Sequence, residues 1–196
     1  MLSIVKSMTL HGLEGFIVDV QVDVAGGLPC WEIVGLPDIS IREAKERVRT
    51  AIKNSGYEFP SRRIVINLAP ATIKKVGSAF DLPIAIAILL ATENINEFDF
   101  ENVAFVGELS LDGNVHSITG ILPMCIEAKK LGIKEIVVPK ENAKEASIVD
   151  EINVIPVSSL NQVVAYLNKS IKINPEKFNS NELINSNQVY NLDFSE

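Results

Sequence analysis

Lys74, Lys75, Gly77, Ser78 and Asp81 stand within eight residues of one another, in the stretch KKVGSAFDLPIAIAILL that runs from Lys74 to Leu90. A serine with a lysine in reach can transfer an acyl group, an aspartate can act as an acid or a metal ligand, and lysines around a glycine turn can hold a phosphate. Each has a plainer alternative. Ser78 can hydrogen-bond its own backbone, Asp81 can charge the first turn of the helix that follows, and the lysines can form a solvated loop. That helix is apolar on nearly every side, so it must be the buried centre of the fold. His11 and His116 each stand alone in a turn, with no serine or cysteine at a readable spacing, and take no catalytic role. Cys30 and Cys125 are far apart, without a CxxC spacing or a companion histidine cluster, so they read as buried free thiols and not as a zinc site or a disulfide. Met124 and Trp31 read as packing residues.

A second constellation is cationic. On the helix expected from Asp38 to Ser55, Arg42, Lys45, Arg49 and Lys53 share one face, opposite the apolar stripe Ile41, Ala44, Val48, Ala51 and Ile52; Arg62, Arg63, Lys74 and Lys75 follow in loops. These eight residues form a candidate phosphate-contact patch. Glu43 and Glu46 interleave with them, which is also how a solvated helix face looks. A net charge of -7 and a pI near 5.0 argue against a dedicated nucleic-acid binder. Low aromatic content leaves base stacking unsupported.

The elements that must position these groups follow from periodicity. Leu2 to Leu10 and Gly15 to Val24 alternate as a half-buried hairpin does, with Phe16, Val18, Val20, Val22 and Val24 on one side and His11-Gly12 in the connection. Cys30 to Val34 is a third strand. Gly35-Leu36-Pro37 breaks it, Asp38 caps the basic helix and Gly56 stops it. Arg63 to Leu68 is a short strand, Ala79 to Thr92 the buried helix, and Val103 to Leu111 one further strand before the Asp112-Gly113 turn and Val115 to Ile118. Helices at Ile121 to Leu131, Glu141 to Ala146 and Leu160 to Asn168 then alternate with strands at Glu135 to Val138 and Val154 to Pro156. This order predicts an α/β fold with a mixed sheet. At 196 residues and 47% hydrophobic the chain suits one main core, expected over residues 1–170. Residues 171–196, rich in Asn, Ser and Lys, read as a linker toward something further. No apolar run reaches the roughly 20 residues that cross a bilayer, and the start lacks a signal-peptide pattern, so the expected location is the cytoplasm, away from membranes.

The segment GLPDISIREAKERVRTAIKNSGYEFPSRRIVINLAPATIKKVGSAFDLPIAIAIL resembles the amino-terminal domain of the magnesium-chelatase-like AAA+ proteins, the ComM/YifB family. The GLPD helix start, the NLAPA segment, the FDLP loop and the GELSLDG turn occur in the family's order and spacing, and the resemblance covers residues 1–170. It implies a Lon-protease-like βαβ fold, ahead of an AAA+ ATPase module and a helical region. It also implies a parent that forms a homo-oligomeric ring, uses ATP and magnesium, and in the ComM branch works on DNA as a branch-migration helicase during uptake and recombination. The alternative implied by the chelatase name is a chaperone ATPase whose amino-terminal domain docks a protein client. No GxxxxGK[ST] loop occurs in the 196 residues, so no ATP site and no other cofactor or metal site is expected in this chain. Lon-type proteases pair a serine with a lysine. Laying KVGSAFDL on their nucleophile loop puts Ala79 at the serine position, and laying GELSLDGNVHSITGILPM on their second segment puts Leu122 at the lysine position. An alanine and a leucine can supply neither nucleophile nor base, so the resemblance implies that this chain lacks the dyad.

Overall fold

The computed structural model describes residues 1–178 except 13 and 97. The expected extension over 171–196 lies outside the described residues from 179 onward. The chain opens with a long antiparallel hairpin, β1 (Leu2–His11) and β2 (Glu14–Ala25), in which Val18, Val20, Val22 and Val24 are buried as their alternation predicts. Next come β3 (Cys30–Val34), α1 (Ile39–Asn54) and β4 (Arg63–Ala69), a unit that returns β4 parallel to β3 and antiparallel to β2. A single 3₁₀ turn, Ser78–Phe80, leads into α2 (Asp81–Ala91). Then follow β5 (Val103–Phe105), β6 (Glu108–Leu109), β7 (Val115–His116), α3 (Ile121–Lys130), β8 (Glu135–Pro139), α4 (Lys140–Ala146), β9 (Asn153–Val157) and α5 (Leu160–Leu167).

Seven strands make one mixed sheet in the order β3-β4-β2-β1-β5-β8-β9, while β6 and β7 form a separate small hairpin. The chain's first strand therefore lies mid-sheet, and the sheet's two halves correspond to the two halves of the sequence. Helices α1, α2 and α5 bury Ile41, Val48, Ile52, Leu160 and Val164 against one face. Helices α3 and α4 bury Ile121, Cys125, Ala128 and Ala143 with Met8, Val106 and Val138 on the other. From Asp81 to Leu89 every residue of α2 is buried, which fits a helix with no polar stripe. Among the described residues no helix is long and apolar enough to cross a membrane.

The single strand expected from Val103 to Leu111 is two strands. After β5, the Val106 amide bonds to Val137, but the Gly107 amide turns to the carbonyl of Ala79 at 3.0 Å and its own carbonyl accepts from the Leu82 amide at 3.0 Å. A Cβ at Gly107 would sit 2.8 Å from Val115 Cγ1, so glycine allows the strand to leave the sheet beside the start of α2.

Candidate functional site

The entrance of α2 gathers polar groups from four segments. Asp81, fully buried at the first position of α2, accepts from Arg47 Nε at 2.7 Å and Arg47 Nη2 at 3.0 Å, and from the Leu109 amide at 3.3 Å. Arg47 Nη2 also donates to the Ser40 carbonyl at 3.1 Å. The guanidinium thus clamps α1 to α2 in the two-pronged geometry that arginine offers a carboxylate. Burial pushes the Asp81 carboxyl above its ordinary range, against the pull of Arg47 and the Leu109 amide; the hydrogen bonds that Arg47 donates to Asp81 raise the pKa of the guanidinium. Asp81 stands in the first turn of α2 as expected, but buried and paired with an arginine. Its partner, Arg47, had no role in the sequence reading, although 44, 47, 48 and 51 share a helix face and an arginine there points toward the core.

Ser78 does not bond its own backbone, as expected, but donates to the Glu108 carboxylate at the head of β6. Ala79 beside it is buried, its carbonyl holding Gly107. Leu122, in the first turn of α3, is half-buried, and the lysines of that helix, Lys129 and Lys130, lie in its last turn.

Lys75 overturns the expectation of a basic phosphate loop. Its side chain is fully buried, and Nζ donates to the carbonyls of Gly35, at 3.1 Å, and Pro70. Burial lowers its pKa. The surrounding backbone locks the same contact: the Lys75 amide donates to Leu36 and the Asp38 amide to Lys75. Gly35 adopts φ +96°, and a Cβ there would run into the backbone at Leu68, so only glycine lets β3 close on β4 at this point. Asp38 caps α1 as predicted, accepting from the Ile41 amide at 3.0 Å, and reaches across to the Gly77 amide at 3.2 Å. Burial opposes ionisation of Asp38, but these amides, Ser40 and Lys74 together hold its pKa below the ordinary value.

The remaining cations divide. Arg42, Arg49, Lys53, Arg62, Arg63 and Lys74 are exposed and Lys45 is half-buried. Lys45 and Arg49 turn toward the β3 edge: Lys45 Nζ donates to the Trp31 carbonyl at 2.5 Å, and the Arg49 guanidinium lies 5.7 Å from the centre of the Phe59 ring. Trp31 stacks on Phe59 at 5.0 Å. An aromatic pair thus backs the basic face, where composition alone gave no sign of one. Of the two thiols, Cys125 is buried and its pKa is pushed up to about 12 by burial and Glu145, but Cys30 is exposed on the edge strand, contrary to expectation. His11 and His116 are exposed. Among the described residues no group of three or more His, Cys, Asp or Glu side chains could hold a metal ion.

The family described as subunit ChlI of Mg-chelatase matches residues 20–142. Competence protein ComM of Haemophilus influenzae is 38% identical over 172 residues, covering 88% of this chain and 34% of the relative. YifB of Escherichia coli is 40% identical over 166 residues, 85% of this chain and 33% of the relative. A Lon protease of Rhizobium meliloti is 32% identical over 135 residues, 65% of this chain and 16% of the relative, in keeping with the mixed α/β sheet. The chain spans about a third of the length of the ComM and YifB relatives.

Proposed function

The chain belongs to the family of subunit ChlI of Mg-chelatase, with ComM and YifB among its relatives, and from that premise we propose that it is the non-catalytic amino-terminal domain of a magnesium-chelatase-like AAA+ ATPase. It supports ring assembly or engages DNA in branch migration and recombination; ATP and magnesium belong to the motor module of the parent. The observation that carries the non-catalytic reading is the entrance of α2. There the hydroxyl of the 3₁₀ turn, that of Ser78, is bound to a carboxylate, Ala79 stands beside it, and the buried lysine, Lys75, is engaged by two carbonyls. The Lys75 amine is therefore not free to draw a proton from a nucleophile. The loop acts as a scaffold that fixes α1, β3 and β6 against α2.

The exposed cations Arg42, Lys53, Arg62, Arg63 and Lys74 support the DNA half of the reading. Fluorescence anisotropy with labelled linear and branched duplexes tests it. Reversing Lys53, Arg62 and Arg63 to glutamate is expected to weaken binding at least tenfold and to flatten the salt dependence by about 0.9 for each phosphate no longer neutralised; unchanged binding removes DNA from the proposal. Incubation with unfolded casein tests the other half, and cleavage by the wild-type chain would overturn it. A client-docking role in a chelatase-type chaperone is the second reading, favoured by the exposed apolar side chains of Leu36, Ile39 and Val76.

A further inference from the structure

The β3 edge of the sheet is open, and the helix above it is charged on one flank only. β3 pairs with β4 alone, so among the described residues no strand meets its outer side. Trp31 and Ile33 lean inward on the core, while Cys30, Glu32 and Val34 stand exposed on the sheet's other face. The two flanks of α1, the helix that joins β3 to β4, differ. On one, Arg47 reaches Asp81 and Glu43 lies close enough to act on Arg47, so that flank belongs to α2. On the other, Lys45 and Arg49 lean toward β3, onto the Trp31 carbonyl and the Phe59 ring, and Arg42 and Lys53 share their side at about 100° per residue. The carboxylates bordering this flank are Glu46, at the crest of α1, and Glu58, next to Phe59 in the loop that follows; both are exposed. Glu32 points from the opposite face of the sheet, and Asp38 is held by the amides of Ile41 and Gly77.

We propose that the β3 edge is a docking site for an extended acidic segment of another protein, which adds to the sheet as a further strand beside β3. An open ladder edge is matched by another main chain, which favours a polypeptide here over a nucleic acid. A strand laid about 4.8 Å outside β3 runs beneath Lys45 and Arg49. Its alternate residues are roughly 6.6 Å apart, and Lys45 and Arg49, one turn apart on α1, are separated by roughly 6 Å along the axis. Carboxylates at every second position therefore meet both cations, and apolar residues between them lie along Cys30 and Val34. Lys45 changes partner in the process: an incoming amide takes the Trp31 carbonyl, and the freed ammonium turns to a carboxylate. Until then the lysine guards the edge against unwanted pairing. The inference rests on the protein-docking reading above and gives it a partner chemistry; phosphate contact is left to Lys53, Arg62 and Arg63.

Trp31 is the chain's single tryptophan, so its emission reports on β3. Titration with a short peptide alternating glutamate with valine should shift that emission saturably, and a lysine-valine peptide should bind at least tenfold more weakly. N-methylating every amide of the acidic peptide keeps its charge, removes its ladder donors and should also weaken binding at least tenfold; this arm needs no variant. Lys45→Glu with Arg49→Glu should exchange the preference between the two peptides, with far-UV circular dichroism unchanged. Equal binding of the N-methylated peptide would mean that charge alone acts, and would overturn strand addition. Binding indifferent to Lys45→Glu with Arg49→Glu but abolished by Ile39→Ser would move the partner to the apolar corner at Leu36, overturning this site while leaving protein docking intact. A Trp31 response to duplex DNA and to neither peptide would assign the flank to phosphate and overturn the proposal. An emission shift on raising protein concentration alone would place a second copy on the edge and overturn it too, as would silence toward both peptides.

Discussion

Lys75 and Asp81 are both fully buried, six positions apart at the entrance of α2, yet they are neutralised in opposite ways. Asp81 meets a full countercharge in Arg47, brought from another helix and 34 residues away in sequence. Lys75 meets only carbonyl dipoles, those of Gly35 and Pro70. The first arrangement joins two helices through an ion pair whose members are each costly if left alone. The second ties a loop to the end of a strand with a charge that the fold hardly needs. Burying an ion is tolerable only when its partners are complete, so the two sites should fail differently.

Arg47→Ala should be the most damaging single change, costing about 3–5 kcal/mol because it strands a buried carboxylate; urea denaturation gives the value. Asp81→Leu combined with Arg47→Met should recover most of that loss, since an apolar pair of similar volume often replaces a buried ion pair at little cost. Failure of the double variant to recover would mean that the ion pair does more than offset its own burial. Lys75→Met should cost less, about 1–3 kcal/mol, by leaving two carbonyls without a donor. It also carries a pH signature. The lysine's pKa is lowered in the folded state, so the unfolded chain holds the proton more tightly. Wild type should therefore gain stability relative to the variant as pH rises from the folded value to the ordinary lysine value of about 10.4. Parallel denaturation curves from pH 7 to 10.5 would show this, and a constant difference would place the ammonium in contact with water. Asp38→Ala should cost about 1 kcal/mol through loss of the α1 cap. Since the Asp38 pKa is lowered, the stability that the carboxylate contributes is present above about pH 3.9 and lost as pH falls through the folded value.

The same contrast explains what could be read before folding. The hairpin β1–β2, the five-residue stripe of α1 and the Asp38 cap are local: alternation, helical spacing and a cap three residues from its donor all lie within one element. The buried α2 was legible because a helix with no polar face has nowhere else to go. The fates of Lys75, Ser78 and Asp81 were not legible, because their partners Gly35, Glu108 and Arg47 lie 30 to 40 residues away and no periodicity encodes them. The break between β5 and β6 had a signal in Gly107, outweighed by the apolar run around it. Cys30 was taken for a core residue on its type, but it sits on a five-residue edge strand whose outer face nothing covers among the described residues.

The placement of β1 carries a consequence for how the chain is made. Its hairpin partner β2 follows at once, but its other neighbour, β5, joins at Lys6 opposite Ala104. A ribosome adding about 5–20 residues per second needs roughly 5 to 20 seconds to supply those roughly 100 residues. Throughout that interval the long edge of a ten-residue strand stays open beside the exit tunnel, a template on which a neighbouring nascent chain could pair.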